Sequence, residues 1–120
     1  MSGSASADHD AERSVKRLAG TWDISMRTPI GTLRAVLIFQ DDAGTLSGVA
    51  EGSGELAVPL RDLQVAVKDA ADRVTWAQTV TKPMRLELLF DVTVDGDLMS
   101  GYSRAGRLPK SAVSGVRRQG

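Results

Sequence analysis

The sequence repeats one pattern at an offset of 54 residues. Thr21-Trp22 and Thr75-Trp76 are each followed by a proline seven residues after the tryptophan. Each half then runs through an apolar stretch and a turn containing Asp and Gly to a short motif, Leu46-Ser47-Gly48 or Met99-Ser100-Gly101. A repeat at one offset indicates two copies of one supersecondary unit that build a shared core.

Apolar and polar residues alternate through most of the chain after Gly20, which is the periodicity of β-strands. The alternation predicts eight strands, the first from Gly20 to Arg27 and the others around 33–39, 46–51, 56–67, 74–80, 84–94, 97–104 and 110–118. In the fourth strand the phase changes near Pro59, so we expect that strand to be bent or bulged.

A short helix is predicted over residues 9–19, before the strands. Asp8 is a suitable cap, Ala11, Val15 and Leu18 share one helical face, and Gly20 suits the end of the helix. We expect residues 1–7, which are small and polar, to be disordered.

Eight strands joined by tight turns are typical of an antiparallel meander. Closure into a barrel removes the exposed strand edges, and a barrel of this size is filled by side chains or holds one small ligand. We therefore expect an all-β, eight-stranded up-and-down barrel, with residues 8–118 forming a single domain. An open sandwich of two four-stranded sheets is the alternative.

The composition excludes several classes of function. The chain has no cysteine and one histidine, His9, so we expect no metal site and no cofactor. Fifteen basic and fifteen acidic residues balance, which argues against nucleic acid and membranes as partners. No apolar run is long enough to span a membrane, and the first residues lack an apolar signal segment, so a cytoplasmic location is expected.

Gly20-Thr21-Trp22, at the head of the first strand, resembles the Gly-x-Trp motif of the calycin superfamily, which includes the lipocalins and fatty-acid-binding proteins. In that superfamily an arginine near the end of the last strand packs across the tryptophan and closes one end of the barrel, and Arg117 stands at the matching position. The resemblance covers residues 8–118 and implies a lipocalin-like barrel. Tyr102-Ser103-Arg104 reverses the Arg-x-Tyr order with which fatty-acid-binding proteins hold a carboxylate, so that role is not carried over.

Strand direction separates the two ends of the predicted barrel. Trp22 and Trp76 both begin odd-numbered strands, so they lie at the same end as Arg117 and are expected to plug it. A ligand pocket would open at the opposite end. Its walls, taken from the inward phase of each strand, are predicted to be Met26, Leu33, Ala35, Ala50, Leu56, Val58, Gln78, Val80, Met84 and Leu86, with Tyr102 or Ser103 according to the register of its strand.

Two polar residues are the candidates for chemistry in this pocket. Gln78 interrupts an apolar row, and a buried amide needs a partner, which is either a neighbouring hydroxyl, an ordered water or a ligand. Tyr102 is either a hydrogen-bond donor and general acid in the pocket or a wet aromatic at the rim.

The leading hypothesis is a module that binds one small hydrophobic or amphipathic molecule. The alternative is a cofactor-free cyclase or isomerase, with Gln78 and Tyr102 as catalytic donors, because some small barrels of the calycin superfamily are cyclases in bacterial secondary metabolism. A third hypothesis is a filled barrel that acts through its surface. The outward aliphatic residues Val36, Ile38 and Leu89 favour a homodimer.

Overall fold

The computed structural model describes residues 13–29, 31–52, 57–68, 71–80 and 85–119. A short helix, α1, covers residues 13–18. Nine strands follow: β1 (Gly20–Thr28), β2 (Gly31–Asp42), β3 (Thr45–Gly52), β4 (Val58–Pro59), β5 (Arg61–Lys68), β6 (Ala71–Val80), β7 (Leu86–Asp95), β8 (Leu98–Arg104) and β9 (Ser111–Arg117). The predicted cap Asp8, residues 1–7 and Ala11 lie outside the described residues. No helix in the described part of the chain is long and apolar enough to cross a membrane.

The strands form a nearly closed antiparallel barrel. Their order in the sheet is β4-β3-β2-β1-β9-β8-β7-β6-β5, so the first long strand pairs with the last. The β1–β9 ladder runs from Trp22, opposite Arg117, to Arg27, opposite Ala112. This ladder joins the two halves of the chain into one sheet, which confirms the predicted barrel and excludes the open sandwich.

The fourth predicted strand is bent, as expected, and forms two separate strands. Its first part, β4, pairs with β3, whereas its second part, β5, pairs with β6. The register shifts between Arg61 and Gln64, and Asp62 has a φ of 54°, in the left-handed region. Pro59 cannot donate to a ladder, so the strand changes its partner at this point. Eight predicted strands thus become nine.

The two tryptophans occupy equivalent positions in the two halves. Trp22 pairs with Leu37, five residues before the end of β2, and Trp76 pairs with Phe90, five residues before the end of β7. The motifs Leu46-Ser47-Gly48 and Met99-Ser100-Gly101 likewise both begin at the second residue of the strand that follows a hairpin turn. The repeat in the sequence is therefore a repeat in the register of the barrel.

The glycine of each repeated motif lies close to the neighbouring strand. A Cβ atom on Gly48 would lie 2.9 Å from the carbonyl oxygen of Ile38, and one on Gly101 would collide with the carbonyl oxygen of Asp91. The repeat therefore preserves a glycine at a position where a side chain would meet the neighbouring backbone.

α1, Trp22 and Arg117 close one end of the barrel. The Trp22 side chain is fully buried, and its indole N–H donates to the carbonyl oxygen of Leu18 at 3.0 Å. The guanidinium carbon of Arg117 lies 4.5 Å from the centre of the Trp22 ring, within the range of a cation–π contact. Arg117 also donates to the carbonyl oxygens of Ala19, at 2.8 Å, and of Arg17. These bonds satisfy carbonyl groups that the end of a helix leaves without partners.

A polar cluster fixes the other side of α1 to the barrel. Asp72 is buried, and its carboxylate accepts hydrogen bonds from Ser14 at 2.7 Å and from Arg17 at 2.9 Å. β6 begins at Ala71, before the predicted start at residue 74, and this extension brings Asp72 to the helix. A buried carboxylate is stable only when it is hydrogen-bonded or paired, so Asp72 orients α1 against the barrel.

Candidate ligand-binding site

A cavity of about 580 Å³ lies inside the barrel, towards the end opposite α1, and is partly open to solvent. Its walls come from β1 to β4 in the first half and from β6 and β7 in the second, so the cavity lies between the two halves. The described residues that line it are Ile24, Met26, Thr32, Leu33, Arg34, Ala35, Ala50, Gly52, Val58, Gln78, Thr79, Val80, Leu88 and Phe90. The volume falls within the usual range for small-molecule pockets.

Gln78 is the inward-facing polar side chain among these described walls. It is only 6% exposed, and its Oε1 accepts a hydrogen bond from the Trp76 indole N–H at 2.9 Å. An indole nitrogen can only donate, so Trp76 requires the oxygen of the amide to face it and the NH2 group to face away. Gln78 makes no other hydrogen bond to the described residues. The amide thus offers a donor to the cavity.

Trp76 is held rigidly beneath the cavity by two aromatic rings. Its ring is stacked on Phe90, with centroids 4.8 Å apart and planes within 6°, and it meets Phe39 edge-on at 5.9 Å. Such arrangements are the preferred geometries of aromatic pairs. Trp22 donates its N–H to the carbonyl oxygen of Leu18, whereas Trp76 donates its N–H to Gln78, so the equivalent tryptophans have different hydrogen-bond partners.

Most of the predicted pocket walls meet around this cavity. The predicted residues that line it are Met26, Leu33, Ala35, Ala50, Val58, Gln78 and Val80. Leu86 is partly buried and packs against the core beside the cavity, opposite Val80, but it is not among the lining residues. Leu56 and Met84 lie outside the described residues.

Tyr102 does not face the interior, contrary to its prediction as a pocket residue. Its side chain is 55% exposed on the outer face of β8, where Lys110 lies 5.3 Å from the ring centre. Ser103 is the inward residue, buried opposite Phe90. Its hydroxyl has no hydrogen-bond partner in the part of the chain that the structure describes. Gln78 and Tyr102 are therefore not brought together. Ser103 was the other of the two residues that the alternation allowed at this inward position.

The outer face around the cavity carries paired charges. Arg61 bonds Glu87 at 2.8 Å, and Thr79 also donates to that carboxylate. The Thr79 hydrogen bond, followed by the charge of Arg61, lowers the pKa of Glu87. On the same strand, the two-pronged hydrogen bond from Arg73 lowers the pKa of Asp91. These carboxylates remain ionised, so neither is suited to act as a general acid near pH 7.

The three outward aliphatic residues do not form one patch. Val36 and Ile38 lie on β2, whereas Leu89 lies on β7, which is four positions away in the order of the sheet. Leu89 is exposed and lines an outer groove with Tyr102 and Lys110. The expected homodimer therefore lacks a continuous aliphatic surface built from these three side chains.

Comparison with known proteins supports the architecture. No protein-family model matches the chain, and no curated protein matches it. Among solved structures the chain is similar to a redesigned beta barrel, with a TM-score of 0.64 and 17% identity over 89% of this chain and 96% of that one. At this level of identity the likeness shows the fold alone.

Proposed function

We propose that this protein binds one small apolar or amphipathic molecule in the interior cavity. The observation that carries the proposal is an apolar cavity of about 580 Å³ with one oriented donor, the Gln78 amide. Ligand pockets typically combine mostly apolar walls with a few polar groups that fix orientation. A kinship with the calycin barrels belongs to the same proposal, and the contact of Arg117 with Trp22 supports it.

A cofactor-free cyclase or isomerase is the second candidate, and the same cavity would serve it. Catalysis of that kind holds a reactive conformer and stabilises it with donors. Tyr102 lies on the outer face, which leaves the Gln78 amide as the inward polar side chain among the described walls. The geometry therefore supports binding better than turnover.

The proposal is tested with the fluorescent probe N-phenylnaphthylamine, which is neutral and apolar. Ala35→Phe fills the cavity from β2, whereas the matched control Ala66→Phe adds the same ring on the exposed face of β5. We expect the wild type and the control to bind the probe, and Ala35→Phe to weaken binding by at least about tenfold. Equal binding by all three proteins, with each folded by circular dichroism, would contradict an interior site.

A further inference from the structure

A second groove, of about 470 Å³, lies on the outer face of the barrel where β1, β2 and β9 meet. We call it the arginine groove; its lining residues are Ser25, Arg27, Thr32, Arg34, Ala112, Val113 and Ser114. Thr32 and Arg34 also line the interior cavity. The groove and the cavity therefore share a lip at the start of β2.

Two positive charges stand side by side in this groove. Ser25 pairs with Arg34 and Arg27 pairs with Thr32, so the two arginines are diagonal neighbours on the outer face of adjacent strands. Within the described residues, neither guanidinium has a carboxylate within 4.0 Å. Asp23 and Glu51 are the other diagonal neighbours of Arg34 by register, but neither carboxylate lies within 4.0 Å of it. The two arginines therefore repel each other, and an anion between them removes that repulsion.

Other outward arginines of the barrel differ from these two because they have carboxylate partners. Arg73 bonds Asp91, and Arg118 bonds Asp23, each through two nitrogen–oxygen contacts. Pairing with a carboxylate on an adjacent strand is thus available to arginines on this surface.

Hydroxyl groups complete the donor set of the arginine groove. Ser25, Thr32 and Ser114 line it, and none of the three side chains makes a hydrogen bond to another described residue. Guanidinium and hydroxyl donors together are the groups that recognise carboxylate and phosphate oxygens.

We propose that the arginine groove holds the acidic group of the molecule whose apolar body occupies the interior cavity. This inference rests on the proposed function and specifies its ligand. Arg34 is the only charged residue among the described walls of the cavity, so the acidic group lies at the lip and the apolar body inside. The ligand is thus an amphipathic acid with an apolar body, and a hydrogen-bond acceptor in that body meets the Gln78 amide.

Two probes that share one apolar body separate this inference from the proposed function. N-phenylnaphthylamine is neutral, and anilinonaphthalene sulfonate carries the same rings with an added anion. We expect both to bind and the sulfonate to bind more tightly at low salt, with the difference shrinking at high salt because exposed charges are screened. If neither probe binds, the proposed function fails. If both bind equally at every salt concentration, the acidic subsite is overturned and the interior site remains.

The double variant Arg27→Gln/Arg34→Gln locates the anion. Exposed ion pairs are weak, so we expect the dissociation constant of the sulfonate to rise roughly three- to thirtyfold, while that of the neutral probe changes less than about twofold. Arg104→Gln/Arg107→Gln is the control, because it also removes two positive charges and both residues are exposed and lie outside the arginine groove. An equal loss in the control and the double variant would mean that net charge alone acts, and would overturn the proposal.

Competition against the bound sulfonate then identifies the acidic group. Naphthoate, naphthyl phosphate and neutral methyl naphthoate share one ring system. We expect at least one of the two acids to displace the probe at lower concentration than the ester, and the better acid identifies the group. Equal displacement by all three compounds overturns the acidic subsite.

Discussion

Arg117 is the side chain whose removal tests the closed end of the barrel most sharply. Its guanidinium lies over Trp22 and donates to the carbonyl oxygens of Arg17 and Ala19 at the end of α1. It also bonds Asp97 at 2.9 Å, where the Asp97 side chain is 58% exposed. Truncation to alanine removes all of these contacts and leaves two helix carbonyls without their donor.

The size of the effect follows from the separate contacts. A cation–π contact contributes about 0.5–2 kcal/mol, a hydrogen bond from a charged donor about 1.5–3 kcal/mol, and an exposed ion pair about 0.2–1 kcal/mol. The contacts share one side chain and are not additive, so we take the lower ends. Arg117→Ala is then expected to lower the free energy of unfolding by about 3–4 kcal/mol.

Urea denaturation, followed by the fluorescence of the two tryptophans, measures this loss. Arg117→Lys should recover only part of it, because an ammonium cannot reach two carbonyls and a ring face in the fixed geometry of a guanidinium. Arg118→Ala is the control, since Arg118 is adjacent in sequence but its side chain bonds the exposed Asp23. The reasoning is refuted if Arg117→Ala costs no more than Arg118→Ala.

Three further predictions concern single contacts. Arg73→Gln should raise the pKa of Asp91, measured by carboxyl NMR titration. Because Arg73 lowers the folded-state pKa of Asp91, the stability that this ion pair contributes is present above the usual pKa of 3.8 and disappears as the pH falls through the folded-state pKa. Gln78→Leu and Gln78→Glu should each weaken the binding of prodan, a naphthalene ketone, about two- to tenfold, with less effect on N-phenylnaphthylamine. Both variants remove the NH2 donor, and only Gln78→Glu keeps the oxygen that accepts from Trp76. Equal losses of affinity for both probes would argue against a donor. Gly20→Ala should destabilise the protein by more than about 1 kcal/mol in thermal unfolding, because Gly20 has a φ of 138° and its Cβ would lie 2.9 Å from the guanidinium above Trp22; an unchanged midpoint would contradict this.

The strand pattern was predictable because alternation is a local signal. The inward phase placed Gln78 and Val80 at the cavity, and the phase change at Pro59 predicted the bend that divides β4 from β5. The spacing of apolar residues along a strand shows which residues face the same side, without reference to the rest of the chain. Closure of the sheet into a barrel was predicted by a general argument, because it removes exposed strand edges, and not from any particular residue.

The sequence could not predict which residues face inward where apolar and polar residues do not alternate. Tyr102 follows Ser100 and Gly101 and precedes Ser103, so no apolar row marks the inward phase of β8. Only the pairing of Ser103 with Phe90 decides it. Alternation also tells which face a residue occupies but not its position around the barrel, which is why Val36 and Leu89 could not be separated in advance.

The division of the fourth strand leaves one ladder of the barrel much shorter than the others. The β1–β9 junction is a continuous ladder, whereas β4 contributes only two paired residues to β3, and Leu60 adds one bond to the carbonyl oxygen of Gly48. Local opening requires fewer hydrogen bonds to break at the β3–β4 ladder than at the β1–β9 ladder. The amide hydrogens of Val58 and Leu60 should therefore exchange with deuterium before those of β9, and the barrel should open at β4 while the β1–β9 ladder stays paired.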